Sequence, residues 1–122
     1  MEFIESVNLP NNLLQIPDTP KDGLWVEGNP WPDHLKRLCV VGSRKTTDYG
    51  QAVIEKLFRG LVGHSISIIS GLALGIDALA HWSALSNNLH TVAFPGSGLG
   101  ESVLYPATNR NLAKDILANG GG

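Results

Sequence analysis

The sequence contains a single cysteine, Cys39, so an internal disulfide is excluded. Cys39 lies within the apolar run Leu38–Val41, where it is expected to be a buried small hydrophobe, and a reducing, cytoplasmic setting follows by default. Cys and His pairs at metal-ligand spacing are absent. His34, His64, His81 and His90 are scattered, and each is expected at the surface or at a helix end. No apolar stretch reaches the ~18 residues that a spanning helix needs, and MEFIESVNLPNN lacks a basic region followed by an apolar run, so no membrane association is expected. Charge is also scarce. With 16% charged residues and a net charge of −2 there is no global pull toward nucleic acid or anionic lipid, so any anion site must be built by local placement of a few cations.

Several catalytic signatures are missing as well. The turn G-S-R-K-T-T at Gly42–Thr47 lacks the three-glycine spacing of a dinucleotide site, and nothing matches G-x-x-x-x-G-K-[ST]. Ser43 and Ser70 have no His or Lys base near them in sequence, which leaves nucleophilic catalysis without a visible constellation.

What is present is an alternation of strand and helix signals in a chain of 122 residues, 43% apolar. Residues 1–23, rich in Pro, Asn and Asp, read as an irregular lead-in, and Leu24–Glu27 as a strand ending at the turn Gly28-Asn29-Pro30. Trp25 and Trp31 are expected to pack against the sheet. Leu38–Val41 forms the first core strand, Gly42–Lys45 a tight turn, and Val53, Ile54, Leu57, Phe58 and Leu61 one face of a helix from Tyr49 to about Val62. Ser65–Ser70 is a second strand, followed by the loop Gly71–Gly75 and a helix over Ala78–Ser86 that Asp77 is placed to cap. His90–Phe94 is a third strand. The glycine-rich loop Pro95–Gly100 follows it, and a last helix spans about Thr108–Ala118.

This pattern predicts an α/β fold with a parallel sheet and flanking helices. The loops at Gly42–Lys45, Ser70–Gly75 and Gly96–Gly100 all follow strands, so all three open at the carboxyl edge of the sheet, where such folds bind ligands. A phosphate-rich polymer lying across that rim is the reading the residues favour. Arg44, Lys45 and Arg110 supply cations; Ser43, Ser70, Ser97, Thr46 and Asn109 supply neutral donors; and backbone N–H groups at Gly42, Gly71, Gly96 and Gly98 complete the contacts. Tyr49 or Tyr105 could offer a face to a base, or equally close the core beneath the loops, and core closure is the reading favoured for Tyr105, which precedes Pro106.

The segments Val40–Arg44 with Tyr49-Gly50, Ser70–Ala78 with His81, Gly96–Leu99, and Tyr105-Pro106 with Asn109-Arg110 together strongly resemble the DNA-processing protein A (DprA/Smf) family over about residues 11–122. The resemblance implies a Rossmann-like domain, with residues 24–122 as its N-terminal portion. It also implies non-enzymatic single-stranded DNA binding with no cofactor, a role in natural transformation and DNA recombination, and as partners a second copy of the chain and, where the family's later elements are present, RecA recombinase. By position, Arg44 would be the main DNA contact, with Gly42, Ser43 and the neighbouring loops shaping the pocket. Gly100 replaces the Asp that the family often carries in the third loop. The chain breaks off at Gly120-Gly121-Gly122 after a helix, as the front part of a larger domain would, and an open sheet edge predicts self-association. In the competing class, Pro95–Glu101 is similar to the P-G-G-x-G-T-x-x-E loop of LOG-type nucleoside-monophosphate phosphoribohydrolases, although Ser97 breaks the glycine pair and Gly100 stands in the place of the Thr.

Overall fold

The computed structural model describes residues 1–122, the side chain of Asn12 excepted. The β-branched run Ile66-Ser67-Ile68-Ile69-Ser70 forms the middle strand β4 (Ile66–Ser70) of a three-stranded parallel sheet. On one side it pairs with β3 (Lys36–Cys39), Lys36 opposite Ile66, and on the other with β5 (His90–Ala93), Ser67 opposite His90. Between them run α2 (Asp48–Leu61) and α3 (Ile76–Ser86), and α4 (Arg110–Ala118) follows β5 after a 3₁₀ turn at Ala107–Asn109. With strand order following chain order, right-handed crossovers lay these helices side by side on one face, and α3 touches both α2 and α4.

Ile54 and Phe58, one turn apart on α2, meet Ile68 of β4 and the small residues Ala80 and Ala84 of α3, whose short side chains let the two helices approach. A second cluster joins Leu72, Leu104, Leu112 and Ile116 beneath the loops that follow β4 and β5. Between the clusters lies a polar thread. His81 Nδ1 donates to Thr91 Oγ1 at 2.7 Å, and that hydroxyl donates to the Ile68 carbonyl at 2.9 Å. The Nε2 of His81 is buried without a partner among the described residues, and burial pushes the imidazole down from 6.5 to about 4, the nearby Asp77 charge offsetting part of that effect.

Several expectations need correction. The lead-in is structured: β1 (Glu2–Glu5) pairs antiparallel with β2 (Gly23–Val26), and the connection holds a 3₁₀ turn and the single-turn helix α1 (Asn11–Leu14). Trp25 is largely exposed and packs across the ribbon on Phe3, its partner in register, ring centroids 5.2 Å apart. Cys39 is exposed, on β3, an outer strand all four residues of which are exposed. His81 is fully buried, because its helix lies between two others. Asp77 caps no helix end: α3 begins earlier, at Ile76, and the carboxylate turns back to accept the Gly71 N–H at 3.1 Å. Among the described residues no helix is long and apolar enough to cross a membrane.

Candidate nucleic-acid interface

Each strand of the parallel sheet hands its chain to a loop at the same edge. The first loop, Val40–Thr47, and the second, Gly71–Gly75, are pressed together: the Ile76 N–H donates to the Ser43 carbonyl at 3.0 Å, and a Cβ on Gly42 would sit 2.9 Å from Ile76. Gly75, at φ +82°, lies directly against the Ser43 and Arg44 backbone, where no side chain fits. The second loop in turn borders the third, Pro95–Leu104, through the Phe94 N–H, which donates to the Ser70 carbonyl at 2.9 Å. The glycines at Gly42 and Gly75 therefore bring loop to loop.

This packing leaves backbone donors unspent. The N–H groups of Val41, Gly42, Ser43 and Arg44, of Leu72, Ala73 and Leu74, and of Gly96 through Gly100 donate to no partner among the described residues. Successive free N–H groups of this kind form concave anion sites. At the start of α2, Thr47 Oγ1 accepts the Gly50 N–H at 3.0 Å and Asp48 places a carboxylate in the first turn, which opposes an anion there. The donors placed away from that carboxylate are those of the loop.

Arg44 and Lys45 are exposed on the first loop, and neither side chain is paired. Residues 34–59 carry six cations against two carboxylates, whereas residues 1–33 carry one lysine against six carboxylates, so the small net charge conceals a positive strand–turn–helix unit. Tyr49 and Tyr105 stand at the rim, 80% and 70% exposed, and Val41, Leu74 and Val103 are exposed near them. Tyr105 does not close the core; Leu104 beside it does.

The other expected contacts are engaged within the protein. Ser70 is buried and its hydroxyl donates to the Val40 carbonyl at 2.7 Å, joining β4 to the end of β3. Asn109, 7% exposed, donates Nδ2 to the Leu72 carbonyl at 2.8 Å. Arg110 is half-buried and gives Nε to the Leu104 carbonyl at 3.0 Å and Nη2 to that of Ser102 at 2.9 Å, which shapes the third loop. Ser97 Oγ accepts the Tyr105 N–H at 2.9 Å and donates to the Gly98 carbonyl at 3.2 Å, and Gly71 N–H is held by Asp77, whereas Ser43 Oγ only accepts, from the Lys45 N–H at 3.2 Å, and keeps its hydroxyl hydrogen for a ligand. Glu101 accepts from Lys114 Nζ at 2.6 Å, and that hydrogen bond and charge hold its carboxyl below the usual range. A groove of about 710 Å³ opens beside the third loop, walled by Trp25, Trp31, Val92, Phe94, Leu99 and Leu117; Arg44 and Lys45 lie outside it.

A parallel sheet flanked by helices, with loops rich in free N–H groups along its carboxyl edge, defines a Rossmann-like α/β domain suited to phosphate. The chain belongs to the DNA recombination-mediator protein A family, whose model matches residues 1–122. It is 41% identical over 112 residues to the DNA processing protein DprA of Streptococcus pneumoniae, covering 90% of this chain and 37% of that protein. It is 36% identical over 135 residues to Protein Smf of Synechocystis, covering 98% of this chain and 33% of the relative. The chain thus spans about a third of the length of these curated relatives. Among solved structures, DprA from Streptococcus pneumoniae superposes with a TM-score of 0.80 at 34% identity, covering 94% of this chain and 40% of that one. DprA from Helicobacter pylori, whose structure is described in terms of its single-stranded DNA binding mode, superposes with a TM-score of 0.75 at 28% identity, covering 98% of this chain and 52% of that one.

Proposed function

We propose that this chain binds single-stranded DNA without catalysing a reaction. The observation that carries the reading is the rim itself: three runs of unspent N–H groups beside the unpaired side chains of Arg44 and Lys45, with Tyr49 and Tyr105 standing free at its border. Backbone donors and a guanidinium fork hold phosphates irrespective of sequence, and exposed tyrosines stack on bases that a duplex keeps to itself. Arg110 contributes by holding the third loop in shape and by its charge. The single-stranded DNA bound by the Helicobacter pylori relative supports the same ligand here. Family membership supports a place in DNA processing, with recombination during natural transformation and delivery of DNA to RecA in the cytoplasm as the wider role, and self-association as part of it.

Phosphoribohydrolase chemistry is the weaker reading, because with Gly100 in the place of the Thr the acidic position of such a loop falls on Val103, and the nearby Glu101 is bound to Lys114 on the surface. Titration of a fluorescent oligo-dT with this chain and with Arg44→Ala at two salt concentrations tests the DNA reading. Binding that weakens with salt and largely disappears in the variant is expected. A folded wild-type chain that fails to bind at low salt, or that releases free base from a nucleoside monophosphate, would overturn it.

A further inference from the structure

Leu72 is a branched, fully buried residue in the left-handed region, at φ 61°, a conformation that such side chains adopt only when their surroundings impose it. Three restraints meet there. The Gly71 N–H is tied to Asp77, the Leu72 side chain is wedged among Leu104, Leu112 and Ile116, and the Leu72 carbonyl accepts Nδ2 of Asn109 at 2.8 Å. Asn109 also reaches the Ala73 carbonyl, at 3.3 Å. Two adjacent carbonyls are thereby turned inward onto one amide, and the N–H groups of Leu72, Ala73 and Leu74 remain without a partner among the described residues.

We propose that Asn109 is a positioning residue of the DNA site: its buried amide holds the second loop in the left-handed turn that presents its N–H groups to phosphate, and it does not itself touch the ligand. The proposal rests on the DNA-binding reading for its ligand, whereas the brace is a property of the free protein. A direct contact and a brace differ in what salt reveals. Loss of a cation on phosphate lowers the slope of log K against log salt by about 0.7 for a single strand, but loss of a neutral brace leaves that slope intact. The brace is also visible without DNA, because the hydrogen-bonded amides beside a released turn open more often.

The test compares the full chain with Asn109→Ala and with the shape-conserving Asn109→Asp, whose carboxylate cannot donate to the Leu72 carbonyl. Hydrogen exchange is followed at the bonded amides beside the turn, Gly71, held by Asp77, and Ala78, held by the Ala73 carbonyl, together with binding of oligo-dT over a salt series. In both variants those amides are expected to exchange about tenfold faster or more, while amides of β4 stay protected. Affinity of Asn109→Ala is expected to fall about tenfold with the wild-type salt slope. Unchanged exchange in the folded Asp variant would overturn the brace, even if Ala at this position prevents folding. A reduced salt slope in Asn109→Ala would overturn the exclusion of Asn109 from direct contact. Should wild-type chain not bind oligo-dT, the DNA reading fails, and the exchange data still decide the brace.

Discussion

Acid should destabilise this fold through one residue. His81 is buried as the neutral Nδ1–H tautomer, fixed by the Thr91 hydroxyl that is itself spent on the Ile68 carbonyl, and its Nε2 has no acceptor to receive a proton's charge. Its pKa of about 4 lies below the 6.5 of the unfolded chain, so between these values the unfolded state binds the extra proton and stability rises with pH. The stabilisation is fully present above pH 6.5 and is lost as pH falls through 4. The difference between the two values corresponds to about 3.4 kcal/mol at ~1.36 kcal/mol per pKa unit, of which about 3 kcal/mol disappears between pH 7 and pH 4. The perturbation is His81→Asn, whose Nδ2 can replace the Nδ1 donor toward Thr91 but does not titrate. Urea unfolding of both proteins from pH 7 to pH 4 isolates the term, because the carboxylates titrate alike in each. The stability gap between wild type and variant should shrink by about 3 kcal/mol across that range. Parallel curves, or an imidazole that titrates near 6.5 by NMR in the folded protein, would refute the reasoning.

Other consequences are open to direct measurement. Arg44→Ala should lower the salt slope of oligo-dT binding by about 0.7 while leaving the urea midpoint unchanged, since the side chain is exposed and unpaired. Tyr105→Ala and Tyr49→Ala should each weaken binding by about 1–3 kcal/mol, measured by fluorescence anisotropy, with no loss of stability because both rings lie in solvent. Phe58→Ala, which empties the contact between α2 and β4, should cost about 3–5 kcal/mol in chemical denaturation. Gly75→Ala should cost at least about 1 kcal/mol and also weaken DNA binding, because the methyl group would push the first loop off the second.

The βα alternation was legible because its signals are local: the β-branched run at Ile66–Ser70, the one-sided apolar spacing of Val53–Leu61 and the glycines after each strand all act within a few residues. Burial was less so. Cys39 and His81 carry the same kind of signal as core and surface residues respectively, and only the order of strands and the sandwiching of α3 reverse their places. The ribbon of β1 with β2 joins segments almost 20 residues apart across a Pro-rich stretch, a pairing that no local pattern announces. At the site, the exposed cations Arg44 and Lys45 could be read from the turn, but the division of labour could not. Ser70 and Asn109 carry donors well suited to phosphate, yet they spend them on Val40 and Leu72, partners 30 and 37 positions away. The left-handed Leu72 had no signal in the sequence, since a branched residue is the opposite of what such a turn ordinarily selects.

The central claim is that single-stranded DNA lies on the loop rim, not in the apolar groove beside it. Amide chemical-shift mapping of the isotopically labelled chain during titration with oligo-dT tests this most directly. The largest shifts are expected at residues 41–44, 72–74 and 96–100, with the N–H resonances moving as their free donors meet phosphate. Shifts confined to Trp25, Trp31 and Leu117 in the groove, or an unperturbed first loop at saturating DNA, would contradict the account.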